Sequence, residues 1–323
     1  MLDSVRRLEN QKGPIGVGPF ETFRLHLNDT RGVSQIQTGR GYFGSFSDLT
    51  CFPAARFEAC EVTAIAAVMA PWGVLMAADG RMTLDDATKA TASEDLLLKE
   101  TEHAQKILPI IEPARTVMWG LIGSIGNEDF SLDLRDEIKR HALALSAQEF
   151  GTPREYVIAL GKLVARAITG ARWFPDTGTK SERGCQIARA VFGGCFGSLV
   201  RMGIVEFCHS DEVARAHLLE YLEGPMTSQR CFGPRAITDQ MYDHLGNPLP
   251  DGPLAQYASA LNANPLVSEA RRFAVGYIEA CCSPEGWRLD PEGCKKIGGH
   301  IHAATVKPRS GFQWIILPTS EEQ

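Results

Sequence analysis

Apolar positions in this chain are scattered over residues 1–62 and become ordered only after them. The first 62 residues show no helical period. They are broken by turn formers such as Gly13-Pro14, Gly16-Val17-Gly18-Pro19 and Gly39-Arg40-Gly41. Phe23, Leu25 and Leu27 alternate with polar neighbours, which predicts one short strand. Glu61 to Ala70 and Gly73 to Asp79 are apolar runs joined by Ala70-Pro71-Trp72-Gly73, the pattern of a buried hairpin. Thr83 to Gln105 is polar and rich in helix formers. Lys106 to Ile111 and Arg115 to Ile122 read as short strands, the second running into the glycine-rich Gly120 to Gly126.

Helical spacing then takes over. Leu132, Ile138 and Leu145 belong to a helix predicted from Asp129 to Ala147. Tyr156, Leu160, Leu163, Val164 and Ala167 belong to one from Pro153 to Ile168, with Pro153 suited to its first turn. Trp173 to Gly184 reads as a loop. Gln186 to Cys195 and Ser198 to Cys208 form a second hairpin about Gly197. Asp211 to Leu222 is rich in helix formers and predicts a helix capped by Ser210. Residues 224–265 are dotted with Pro and Gly and read as an insertion with a short helix at Ala236 to His244. Leu266 to Cys281 is an amphipathic helix. Gly299 to Val306 and Gly311 to Leu317 make a closing hairpin.

Two helices between sets of antiparallel strands suggest helix layer, sheet, sheet, helix layer, a four-layer αββα sandwich. The strand–helix alternation of a doubly wound parallel fold is missing, and no repeat is evident. The expected organisation is an N-terminal extension or propeptide over residues 1–62 and one domain over residues 63–323.

The 33 Lys and Arg against 39 Asp and Glu give a net charge of −6. That argues against nucleic acid or an anionic membrane as partner. The longest apolar run, Thr63 to Ala78, is interrupted by Pro71-Trp72-Gly73 and falls short of the roughly twenty residues of a spanning helix. Met1 to Arg7 has basic residues with no apolar core behind them, so no secretory signal is expected. The nine cysteines contain no CxxC pair and are expected as reduced thiols of a cytoplasmic protein.

The chemistry concentrates in the first hairpin. Thr63 opens a strand, a tight turn follows, and the return strand reads Gly73-Val74-Leu75-Met76-Ala77-Ala78-Asp79-Gly80-Arg81-Met82-Thr83. With Gly73, Val74, Ala77, Ala78, Asp79, Arg81 and Thr83 in register, this hairpin resembles the start of a mature proteasome β subunit and of the related bacterial ring peptidase. The resemblance extends weakly over most of residues 62–318. It implies the fold of N-terminal-nucleophile hydrolases, with Thr63 as nucleophile, Lys106 as the catalytic lysine and Asp79 as its partner. It also implies an oxyanion-binding N–H at Ser124, in Gly120-Leu121-Ile122-Gly123-Ser124. The sequence departs from the family at Val62, where glycine is usual, and at Cys294 and Ile297, where a supporting Asp and Ser are usual. It departs again at Cys231-Phe232-Gly233-Pro234, in place of Gly-Ser-Gly.

These residue types have a chemical reason. An internal threonine hydroxyl has no base at hand. A cut before Thr63 would create an α-amine, with a pKa of about 7.7–8.0, able to take the hydroxyl proton. A cationic Lys106 held by Asp79 would lower that pKa further. The expected function is a threonine peptidase or amidohydrolase acting on peptide or amide bonds, without cofactor or metal, as a homo-oligomer for which the resemblance implies a ring. The alternatives are a non-catalytic subunit that keeps its extension for assembly or partner binding, and a small-molecule amidase. Cys60 is a second candidate nucleophile. His300 and His302 share a strand face and form a possible metal pair that lacks a third ligand.

Overall fold

The computed structural model describes residues 63–82, 101–123, 125–126, 131–174 and 180–319. The expected strand at Phe23, the 1–62 extension and most of the Thr83 to Gln105 segment lie outside the described residues. Two antiparallel sheets form the body. The first has five strands in the order β11-β10-β2-β1-β9. Its members are β1 (Ile65–Ala70), β2 (Gly73–Asp79), β9 (Ser228–Phe232), β10 (Ile301–Lys307) and β11 (Gly311–Ile316). The second has the order β3-β4-β6-β7-β8, with β5 beside β6. These are β3 (Ile107–Glu112), β4 (Arg115–Gly123), β5 (Lys180–Ser181), β6 (Gly184–Phe196), β7 (Leu199–Ser210) and β8 (Val213–Glu223).

The facing sides of the sheets enclose an apolar interior that includes Ile65, Met69, Val74 and Met76 from one sheet and Met118, Ile122, Val191 and Met202 from the other. Both strands of the first hairpin are buried on both faces, which explains their unbroken apolar runs. Outside the second sheet lie α1 (Leu134–Leu145) and α2 (Pro153–Gly170), which bury Ile138, Leu160 and Val164. Outside the first lie α3 (Arg235–Met241), α4 (Val267–Cys282), α5 (Pro284–Leu289) and α6 (Pro291–Cys294). Of these, α4 supplies Phe273, Ala274, Tyr277 and Ile278.

The expected four-layer αββα sandwich is corrected by this arrangement. More of the described chain is strand than helix. The helices cover parts of the two outer faces and do not form two complete layers. All of β11 stays partly or fully exposed, and most of β8 is half-buried. The helix expected at Asp211 to Leu222 is β8, paired along its length with β7. Asp211 and Glu212 both have positive φ, at 51° and 57°, the geometry of a tight two-residue hairpin turn. Among the described residues, no helix is long and apolar enough to cross a membrane.

Candidate functional site

Thr63 lies two residues before β1, Asp79 ends β2, and Lys106 immediately precedes β3. The first two are brought together by the hairpin register, in which Ile65 faces Ala78. The Asp79 N–H donates to the Ala64 carbonyl at 3.2 Å, and the Ala64 N–H donates to Asp79 Oδ1 at 2.9 Å. Lys106 Nζ donates to the same Oδ1 at 2.8 Å and reaches Thr63 Oγ1 at 3.4 Å. Asp79 Oδ2 accepts from the N–H of Gly298 at 3.2 Å and of Arg81 at 3.3 Å. Thr63 is 2%, Lys106 1% and Asp79 0% exposed. Three polar side chains from two sheets thus meet in a dry cluster, and the carboxylate is the hub that satisfies the donors around it.

Burial pushes the Lys106 ammonium below its ordinary pKa. The Asp79 charge and hydrogen bond work in the opposite direction. Lys106 therefore releases its proton more readily than an exposed lysine while remaining next to the Thr63 hydroxyl.

Neighbouring segments close around this cluster. The glycine-rich end of β4 stacks on β1. A Cβ on Gly120 would come within 2.7 Å of Met76 Sδ and 3.0 Å of Ile65 Cδ1. Gly233 has φ +140°, and a Cβ there would lie 3.3 Å from the Thr63 carbonyl and 2.7 Å from the Tyr277 hydroxyl. The Cys231 to Pro234 segment singled out in the sequence is thus placed against the backbone of Thr63. Arg81 holds Glu102 at 2.8 Å and donates to the carbonyls of Lys295 and Ile297. It ties down the chain that leads to Gly298. Cys294 and Ile297 are buried apolar residues of the core beneath α4. Ser124, Cys60, Val62 and Thr83 lie outside the described residues.

One contributor was not recognised in the sequence. His302 on β10 is 0% exposed, and its Nε2 accepts from the backbone N–H groups of Lys106 at 3.1 Å and Ile107 at 3.3 Å. Accepting at Nε2 requires the neutral ring with its proton on Nδ1. Neither nitrogen then offers a free lone pair, so the metal pair weighed for His300 and His302 has no chemical basis at His302. Among the described residues, no group of three or more His, Cys, Asp or Glu could hold a metal ion. Cysteine does not compete as nucleophile among the described residues of this site. Burial raises the thiol of Cys282 to about 11 and that of Cys231 higher still, which keeps both protonated near neutral pH.

The His302 ring is pushed down from 6.5 to about 3, first by burial and then by the charges of His300 and Lys106. In the window between those values the unfolded chain binds a proton on this ring and the folded chain does not. Stability therefore falls as pH drops from 6.5 toward 3, by roughly 1.4 kcal/mol per pH unit from this group. Denaturant unfolding at several pH values should show a shallower acid slope for His302→Gln than for wild type. Equal slopes would contradict the assignment.

No family model matches the chain, and no curated protein matches it. Among solved structures it is similar to an Anbu mutant from Hyphomicrobium sp. strain MC1, at 13% identity and TM-score 0.48, covering 80% of this chain and 89% of that one. It is also similar to Anbu, described as an ancestral β-subunit, from Yersinia bercovieri, at 13% identity and TM-score 0.47, covering 79% and 87%. A third is the Anbu complex of Pseudomonas aeruginosa, described as a helical assembly, at 10% identity and TM-score 0.46, covering 81% and 88%. The resemblance to the proteasome β subunit and the bacterial ring peptidase is corrected accordingly. The three similar structures just described are Anbu proteins and not proteasome β subunits or the bacterial ring peptidase. Identities of 10–13% with TM-scores below 0.5 assign no activity to this chain.

Proposed function

We infer that this protein is a threonine hydrolase of peptide or amide bonds, whose nucleophile Thr63 becomes the first residue of the working chain when residues 1–62 are released. The observation that carries this reading is the buried contact of Thr63 Oγ1 with Lys106 Nζ, itself clamped by Asp79. A dry ion pair at a threonine hydroxyl is costly for stability alone and useful for activating a nucleophile.

In the uncut chain the Thr63 nitrogen is an amide and cannot serve as base. Lys106, with its lowered proton affinity, is the group placed to take the hydroxyl proton. Thr63 Oγ1 then attacks the Val62 carbonyl. The C–N bond breaks, an ester forms, and Lys106 passes the proton it took to the departing nitrogen, which leaves as the α-amine of Thr63. Water hydrolyses the ester and releases residues 1–62 with Val62 as a carboxylate. In the cut chain the new amine takes the hydroxyl proton during attack on a substrate carbonyl and passes it to the leaving amine. Water then hydrolyses the second ester and regenerates Thr63. In the cut chain Lys106 supplies positive charge beside the amine, and Asp79 fixes where that charge sits.

Hydrolysis of a panel of fluorogenic peptide amides tests the reading. Activity should appear in protein that starts at Thr63 and be absent from protein that retains residue 62. Cut protein that hydrolyses nothing in the panel at any oligomeric state would overturn it.

The reading includes self-association. Ile111 on β3 and Leu143 on the adjoining α1 are 68% and 73% exposed, which suits burial against a second copy. Light scattering at micromolar concentration should give a mass above that of one chain, reduced in Ile111→Glu/Leu143→Glu. A strictly monomeric wild type would contradict the homo-oligomer.

A further inference from the structure

We propose that His302 is a positioning residue that holds Lys106 in reach of Asp79 and Thr63, a role that rests on the hydrolase reading above. Lys106 lies just before β3, which is an edge strand of the second sheet with β4 on one side only. The N–H groups of Lys106 and Ile107 both converge on His302 Nε2. His302 belongs to the first sheet, on β10, so this contact joins the two sheets at the residue that bears the ammonium.

The same strand also holds the carboxylate. In the β10–β2 register His302 faces Ala78 and Ile301 faces Asp79, and the Gly298 N–H just before β10 donates to Asp79 Oδ2. One element thus fixes both ends of the Lys106–Asp79 pair. The imidazole is itself confined. Its ring stacks on His300 with centroids 5.0 Å apart and meets Trp314 edge-on at 6.1 Å. Removal of the acceptor takes this partner from two buried N–H groups at once. The start of β3 must then shift to find partners, and the Lys106 ammonium shifts with it.

The test compares wild type, His302→Phe, which keeps a ring and loses the acceptor, and His302→Gln, which keeps an acceptor of similar reach. Two readouts are taken, the first on the full chain and the second on protein starting at Thr63. The first is the accessibility of Lys106, measured as acetylation by acetic anhydride relative to the exposed Lys139 and read by peptide mass spectrometry. The ratio should rise about tenfold in His302→Phe, as expected for local opening of the site, and stay near wild type in His302→Gln. The second is hydrolysis across pH by protein starting at Thr63. In His302→Phe, kcat should fall roughly 10²-fold, the scale of a misplacement near 1 Å, with KM little changed and the activity profile moved to higher pH. His302→Gln should recover most of the rate. Should His302→Phe fail to fold, His302→Met carries the same comparison. A wild-type labelling ratio in His302→Phe, or equal damage from Phe and Gln, would overturn the proposal. Cut wild type that lacks hydrolysis would overturn the hydrolase reading, while the labelling ratio would still decide whether His302 holds Lys106.

Discussion

Thr63→Ala is expected to bring hydrolysis to background, and Lys106→Ala to lower it by roughly 10²–10³-fold, the loss typical of one preorganised electrostatic group. Thr63→Ala deletes the atom that forms the ester. Lys106→Ala leaves that atom in place but removes the charge 3.4 Å from it, so the Thr63 amine regains a pKa near its ordinary value and is more protonated at neutral pH. The Lys106 variant should therefore regain part of its rate at alkaline pH, whereas the Thr63 variant should not. Protein starting at Thr63, or at the substituted residue, is assayed so that processing is not confounded with hydrolysis. Equal rates in wild type and Lys106→Ala would remove this cluster from the chemistry.

Asp79→Asn is expected to damage stability as well as rate. The resemblance implies Asp79 only as a partner of Lys106. In the structure its two oxygens accept from Lys106 Nζ and the N–H groups of Ala64, Gly298 and Arg81. An asparagine Nδ2 would turn a donor toward one pair of these donors, and the buried ammonium would lose its counter-charge. Breaking a buried pair in this way costs about 3–5 kcal/mol. Denaturant unfolding of Asp79→Asn, Lys106→Met and the double variant measures it. The double variant should be less destabilised than the sum of the singles, because it no longer buries an unpaired ion. Strict additivity would place the two residues in separate environments.

Much of this geometry was legible because it rests on short-range pattern. Continuous apolar runs about Pro71-Trp72-Gly73 specify a doubly buried hairpin, and the hairpin alone puts Thr63 beside Asp79. Lys106 comes only from the resemblance, in which the catalytic lysine precedes an apolar strand, whereas the helix observed at Val267–Cys282 is evident from its period. What failed depended on distant partners. Val213 to Glu223 carries Ala, Arg, Leu and Glu, good helix formers, yet pairs with β7 because the Asp211-Glu212 turn returns the chain along it. β9 is a five-residue edge strand within what reads as an irregular insertion. α5 and α6 are short, and Ser283-Pro284 and Asp290-Pro291 supply their caps and first turns with dipeptides that also mark turns. His302 could not be assigned from spacing. Its alternation with His300 shows a shared strand face, whereas its partners lie 195 and 196 residues away. The extent of helical cover over each sheet was likewise set by packing, and the four complete layers expected from element order did not form.

The account turns on whether the peptide bond before Thr63 is broken by Thr63 itself. Intact-mass analysis of purified wild type and Thr63→Ala, each held for a long incubation at the concentrations that favour assembly, measures this directly. The account predicts a wild-type fragment that begins at Thr63, with residues 1–62 released, and a Thr63→Ala chain that stays whole. A wild-type chain that remains full-length in every oligomeric state, or a Thr63→Ala chain cut at the same bond, would contradict it.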